Sequence, residues 1–138
     1  MKEKRKCRIA PFTLMEMVVV ITIIALLAGV GVPMYFSHLE KANRNTAKMQ
    51  VKLLEQAVFD YKLDVKKLPA KLDDLIANPG GVEKWNGPYL KGKKMPSDPW
   101  GNPYAYNLKG DGEFEIICHG ADGQQGGAGK NEDISSED

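Results

Sequence analysis

Met17 to Phe36 reads MVVVITIIALLAGVGVPMYF, twenty residues without a charge and with Thr22 as the one clearly polar member. At 1.5 Å per residue such a run makes a helix of about 30 Å, the thickness of a bilayer's hydrocarbon core. In front of it, Lys2, Lys4, Arg5, Lys6 and Arg8 against Glu3 place +4 on the first 11 residues. The whole 138-residue chain has 19 basic and 18 acidic side chains, so the remainder holds 14 against 17 and is net negative. Positive charge gathered on an arm that leads into an apolar run predicts a cytoplasmic N-terminus and a C-terminal part outside. A uniformly basic nucleic-acid binder would carry its charge on the folded part instead. A secretory signal has an apolar region of only about 7–15 residues followed by a small-residue cleavage site. Here the run passes through Gly29, Gly31 and Pro33 into further helical pattern, and Cys7 precedes it, which also argues against a lipoprotein signal.

Beyond Pro33, Leu54, Ala57, Val58, Tyr61, Val65 and Leu68 recur at intervals of three and four, with Lys52, Glu55, Asp60, Lys62 and Lys66 between them. That spacing gives one amphipathic face. It predicts a single long helix, apolar all round in residues 12–36, amphipathic in residues 37–68, and ending near Pro69. The stripe does not hold a heptad over enough turns for a coiled coil.

Residues 69–138 are rich in Gly and Pro, with turn signals at Asn78-Pro79-Gly80-Gly81, Asn86-Gly87-Pro88, Ser97-Asp98-Pro99 and Lys109-Gly110-Asp111-Gly112. Tyr104–Leu108 and Glu113–Cys118 alternate as the two strands of an antiparallel hairpin, and Lys71–Ala77 reads as a short helix. The fold class is therefore α+β: a long N-terminal helix packed on a small antiparallel sheet, with no internal repeat. Cys7 and Cys118 stand on opposite sides of the apolar run, so no internal disulfide is available if that run spans a bilayer, and no Cys/His spacing suits zinc.

Phe12-Thr13-Leu14-Met15-Glu16, leading straight into the apolar run, resembles the start of mature type IV pilins and pseudopilins. Leu68-Pro69, Gly87-Pro88-Tyr89-Leu90, Pro96-Ser97-Asp98-Pro99-Trp100-Gly101-Asn102-Pro103-Tyr104, Gly120-Ala121-Asp122-Gly123, Gly126-Gly127 and Asp133-Ile134 resemble the major pseudopilins of type II secretion. The resemblance covers almost the whole chain. It implies a structural subunit, not an enzyme, of a periplasmic filament that helps export folded proteins across the outer membrane. It further implies single-pass insertion in the inner membrane, a homopolymer that works with minor pseudopilins and an inner-membrane secretion platform, and no nucleic-acid partner. A prepilin peptidase is expected to cut between Pro11 and Phe12, removing the basic leader 1–11, and to methylate the new amine. The chain departs from the family at Pro11, where Gly is usual; proline fixes the backbone and removes an amide donor next to the cut. A type IV pilus or DNA-uptake pilin is the rival within the superfamily, but its usual C-terminal disulfide is missing.

Glu16 is a carboxylate at the edge of the apolar run, where an unpaired charge is costly. Either it snorkels to the headgroup layer or, as the resemblance implies, it pairs with the Phe12 amine of its own or a neighbouring subunit during assembly. Gly29, Gly31 and Pro33 weaken the helix locally. The resemblance implies that this stretch, with Pro33 at the family's helix-breaking position, unwinds when subunits pack.

From His119 to Asp133 the chain has almost no apolar content, so hydrophobic packing cannot order it. Asp122 and Asp133 stand at the first and last places of a twelve-residue span with Gly127 sixth, yet Gln124 and Gly126 occupy positions where an EF-hand wants Asp or Asn. Carboxylates and carbonyls exposed by glycine turns nevertheless suit a hard cation. The resemblance implies one calcium, held by the side chains of Asp122 and Asp133 and the carbonyl of His119, with Asn131 and Glu132 as further candidates; the alternative is a flexible glycine-rich tail. No enzyme constellation competes. His38 and His119 have no nucleophile at a recognisable elbow and no paired carboxylates on a rigid element, and Trp85 and Trp100 read as packing residues.

Overall fold

A computed structural model describes residues 11–138, so the expectations placed on residues 1–10, Cys7 included, lie outside the described residues. One helix, α1, runs from Leu14 to Val65. Thr13 caps it: its Oγ1 accepts the Glu16 amide at 3.2 Å, one of the four amides a helix start leaves without a partner. Glu16 therefore sits in the first turn, where the helix dipole favours negative charge. The chain divides into two compact units, one ending at His38 and one spanning Leu39–Asp138.

In the first unit every described residue from Pro11 to His38 is exposed. The polar Thr22 satisfies itself by donating to the Val18 carbonyl at 2.7 Å, a bond within the helix that needs no outside partner. α1 continues through Pro33 without a break. A side chain added at Gly29 or Gly31 would meet nothing within 4 Å, so no packing inside the chain requires glycine there.

In the second unit α1 changes character. Ala47, Val51, Leu54, Ala57, Val58 and Tyr61 are buried at helical spacing, extending the expected stripe one turn and more toward the N-terminus. Val65 and Leu68 are partly buried and pack against this core. The helix stops at Val65, short of Pro69, because Lys66 turns into the left-handed region (φ 63°) while its amide still bonds the Lys62 carbonyl at 3.0 Å. A left-handed residue is the common helix stop; here a lysine stands where glycine is usual, so the sequence carried no sign of it.

Opposite the stripe lies a three-stranded antiparallel sheet in the order β1 (Ala105–Lys109), β2 (Glu113–Cys118), β3 (Ile134–Ser135). The β1–β2 hairpin pairs Tyr106 with Ile116 and Leu108 with Phe114. Ile116 and Cys118 of β2, and Ile134 of β3, are fully buried and close the core. At about 1.5–3 kcal/mol for each large apolar side chain taken out of water, this contact is what holds α1 to the sheet. β3 was not foreseen, since two residues carry no readable alternation. The expected short helix at 71–77 is one 3-10 turn, Leu72–Leu75, whose two leucines are buried. Trp85 covers its end by donating from Nε1 to the Asp74 carbonyl at 2.9 Å and meeting Tyr89 edge-on, with the rings 5.8 Å apart.

Candidate functional site

β2 delivers the chain to His119 and β3 takes it away after Asp133, so the two buried residues Cys118 and Ile134 pin the ends of the intervening loop. Within the loop the backbone is wound on itself. Gly120 (φ 65°) and Gly127 (φ 109°) both lie against Asn131, and a Cβ on either would come within 2.7 Å of its backbone. Only glycine tolerates both the positive φ and that approach.

A second support comes from the Asp98–Asn102 turn. Asp98, 5% exposed, accepts the Trp100 amide at 3.0 Å and the Asn102 amide at 2.7 Å on one oxygen, and the Cys118 thiol at 3.3 Å on the other. Burial, ahead of any other cause, pushes the Cys118 thiol up to about 11, so it stays a neutral donor at physiological pH. Asn102, oriented by this turn, donates from Nδ2 to the Gly120 carbonyl at 3.0 Å. The turn thus holds both the strand end, at Cys118, and Gly120 at the start of the loop. Trp100, partly buried, packs against the core from the same turn.

The carboxylates divide their work. Asp122 accepts the Gln124 amide at 3.1 Å, closing its own turn. Asp133 accepts the Gly126 amide at 2.9 Å on Oδ2, while its Oδ1 is buried without a hydrogen-bond partner, 3.4 Å from His119 Nδ1. Glu132 points elsewhere, to Arg44 of α1 at 2.8 Å. So the structure brings the imidazole of His119, whose carbonyl was the expected ligand, to Asp133, keeps Asp122 on the turn that opens the loop, and engages Glu132 with the helix. Among the described residues no three His, Cys, Asp or Glu side chains converge. An ion here would be held by carboxylates together with backbone carbonyls, a donor set for a hard cation rather than for zinc. A buried carboxylate oxygen left unpaired is costly, and that oxygen fits such an ion.

The second candidate region, Pro11-Phe12-Thr13, precedes α1 and is exposed, with Glu16 one turn inside the helix. A family model described as type II secretion system (T2SS), protein G matches residues 34–137, about three quarters of the chain. The chain belongs to the type II secretion protein G family. It is 39% identical to the type II secretion system core protein G of Xanthomonas campestris pv. campestris, over 91% of this chain and 87% of that protein. It is likewise 39% identical to the core protein G of Vibrio cholerae, over 99% of this chain and 95% of the relative. In fold, it is similar to the crystal structure of the major pseudopilin from the type 2 secretion system of enterohaemorrhagic Escherichia coli, with a TM-score of 0.58 over 73% of this chain and 91% of that one at 24% identity. This G-family chain is thus a core protein G of the type II secretion system by its relatives, and its N-terminal helix is long and apolar enough to cross a membrane.

Three supports of the loop were not anticipated as such. Asp98 and Asn102 were visible only as members of a turn, although Asp-Pro-x-Gly-Asn is strong turn chemistry and could have flagged a hydrogen-bonded knot. Arg44 gave no signal at all, because its loop contacts lie 85 residues and more away in sequence.

Proposed function

We propose that this G-family subunit sits in the inner membrane through residues 12–36, carries its remaining residues in the periplasm, and polymerises with copies of itself into the pseudopilus that helps move folded proteins through the outer membrane. The role is structural and involves no catalysis by the chain. One observation carries the reading: within a single uninterrupted helix, the part up to His38 is exposed and apolar on all sides, while the part from Ala47 to Tyr61 buries one face. A helix apolar all round needs a non-aqueous surrounding, first lipid and then neighbouring copies of itself. The open space around Gly29 and Gly31 leaves room for such copies to approach closely. In this reading the prepilin peptidase removes residues 1–11 and methylates Phe12, and minor pseudopilins and the inner-membrane platform take part in assembly.

Glu16 pairs with the new Phe12 amine of its own or a neighbouring subunit, which relieves the cost of a carboxylate at the edge of the apolar run. Glu16→Gln is expected to leave insertion and folding intact, because the Thr13 cap uses the backbone amide of residue 16 and not its side chain. Filaments, counted by electron microscopy of cells expressing the variant, should disappear; normal filaments would remove the pairing. Mass spectrometry of the extracted subunit should show residues 1–11 gone and a methyl group on Phe12, whereas an intact leader would mean that Pro11 blocks the cut.

The second element of the proposal is a calcium ion in the 119–133 loop, with Asp122 and Asp133 as side-chain ligands and the His119 carbonyl beside them. The unpaired, buried Oδ1 of Asp133 supports it. Bound there, calcium would supply positive charge to the carboxylates and cross-link a loop that has no apolar side chains to fold around. Gly120 and Gly127 let the backbone close up, and Asn102 and Arg44 hold its two arms.

A further inference from the structure

We propose that Arg44 is the positioning residue of this loop: from α1 it fixes the Gly129–Asp133 arm before any ion binds, and it withdraws Glu132 from the ligand set. The inference rests on the calcium reading given above. Arg44 reaches the loop with two different nitrogens. Nη1 donates to the Gly129 carbonyl and Nη2 meets Glu132 Oε2 at 2.8 Å. A guanidinium is a rigid planar fork, so two bonds to points three residues apart set the direction of the arm as well as its distance from the helix.

The rest of the loop shows why such a clamp is needed. Burial cannot order it: from Asp122 to Lys130 every residue is exposed, and the nearest buried side chain after them is Ile134. Asp133 directly follows Glu132, so holding Glu132 against α1 decides where the Asp133 carboxylate lies. That carboxylate is turned inward, with Oδ2 on the Gly126 amide and Oδ1 buried beside His119. Arg44 itself is mostly covered, its side chain 23% exposed, while Glu132 remains 57% exposed. The pair is neutral as a unit, so its net repulsion toward an incoming cation is small compared with the backbone entropy that an unclamped glycine-rich arm would lose on binding. Pre-ordering should therefore win, and Arg44 should raise calcium affinity although it is itself a cation.

The experiment uses the full chain in detergent micelles, with calcium chloride as the only added ligand and EDTA as the reference. Calcium affinity is read from the dependence of the melting temperature on calcium concentration. Arg44→Ala should weaken calcium binding about tenfold, Glu132→Ala should weaken it less because the Gly129 bond survives, and Arg44→Lys should fall between Arg44→Ala and the unaltered chain. A residue that served only general stability would lower the melting temperature equally with and without calcium and leave the affinity where it was. In EDTA, trypsin should cut after Lys130, inside the clamped arm, several-fold faster in Arg44→Ala, seen as earlier release of the 131–138 peptide. An Arg44→Ala affinity within twofold of the unaltered chain would overturn the proposal. If the unaltered chain ignores calcium, the calcium reading fails on its own, and the clamp is then judged by trypsin alone: faster release in Arg44→Ala upholds the pre-ordered arm, and equal release overturns it.

Discussion

Between Ala47 and Tyr61, α1 is held by six buried apolar or aromatic side chains, whereas between Asp122 and Lys130 no residue is buried at all. Both segments belong to the Leu39–Asp138 unit, yet they are ordered by different forces. The helix is placed by area removed from water, a force without direction that tolerates small errors of geometry. The loop is placed by a few directional contacts: Asn102 on Gly120, Arg44 on Gly129 and Glu132, and Gly126 on Asp133. Such contacts contribute only about 0.5–1.5 kcal/mol each, rather more where one group is charged. The helix therefore stands without help, and the loop sits near the edge of order, where a bound ion changes most.

The largest expected effect comes from breaking the helix side of this contrast. Leu54 is 1% exposed within the core cluster, and Leu54→Ala should cost about 2–5 kcal/mol through lost transfer energy and the cavity left behind. Measured by urea unfolding of residues 39–138, the loss should be the same in calcium and in EDTA. A loss that calcium cancels would show that helix and loop are not independent.

Next in size is the loop side. If calcium binds only the folded state, a hundredfold excess over its dissociation constant adds roughly 2.7 kcal/mol. Asp133→Ala should remove that gain while changing stability in EDTA little, since it loses one exposed-loop hydrogen bond and a long contact to His119 Nδ1 while relieving a buried oxygen that has no hydrogen bond. Magnesium should add less, because its small octahedral shell fits a loop of carbonyls poorly. The thermal melts with each ion check both statements, and an unchanged calcium shift in Asp133→Ala would take Asp133 out of the site.

What could be read in advance follows the same division. The stripe Leu54, Ala57, Val58 and Tyr61 was legible because periodicity is local: each residue's neighbours on the face lie three or four places away. The hairpin of β1 and β2 was legible for the same reason, with alternation on both sides of a Gly-Asp-Gly turn. β3 is too short to alternate, and it exists only because the loop returns Ile134 to Cys118. For the loop, composition showed only that apolar packing could not order it; the resemblance implied Asp122, Asp133 and the His119 carbonyl as ligands, and neither could say which side chains would meet. The His119 imidazole, not the carbonyl that was expected to serve, is what lies beside Asp133, and Arg44 and Asn102, which hold the loop, come from elements remote in sequence. The Thr13-x-x-Glu16 spacing before the apolar run is a capping-box signature that could have flagged the helix start, and Thr13 Oγ1 indeed accepts the amide of Glu16, which separates that residue's backbone role from its side chain.

The smallest effect sharpens the comparison at a residue that belongs to both regimes. Tyr106 of β1 packs its ring against the core and meets Phe114, yet its hydroxyl donates to the Pro69 carbonyl at 3.1 Å, tying the sheet to the segment after α1. Burial first, then the charge of Asp74 and the neighbouring Tyr61, push its pKa up to about 12. In the unfolded chain a tyrosine ionises near 10. Between those values the unfolded state binds fewer protons than the folded one, so stability falls as pH rises through this window, while below pH 10 the contribution is fully present. Tyr106→Phe should cost about 1 kcal/mol at pH 8, where only the bond to Pro69 is lost. Between pH 10 and 12 the variant should lose stability less steeply than the unaltered chain, so the two curves converge; a remaining slope is expected from Tyr104, Tyr61, Tyr89 and Cys118, whose pKa values burial also raises. Urea unfolding of residues 39–138 across that range measures it, and curves that stay parallel would mean that the Tyr106 hydroxyl ionises as freely in the folded chain as in the unfolded one.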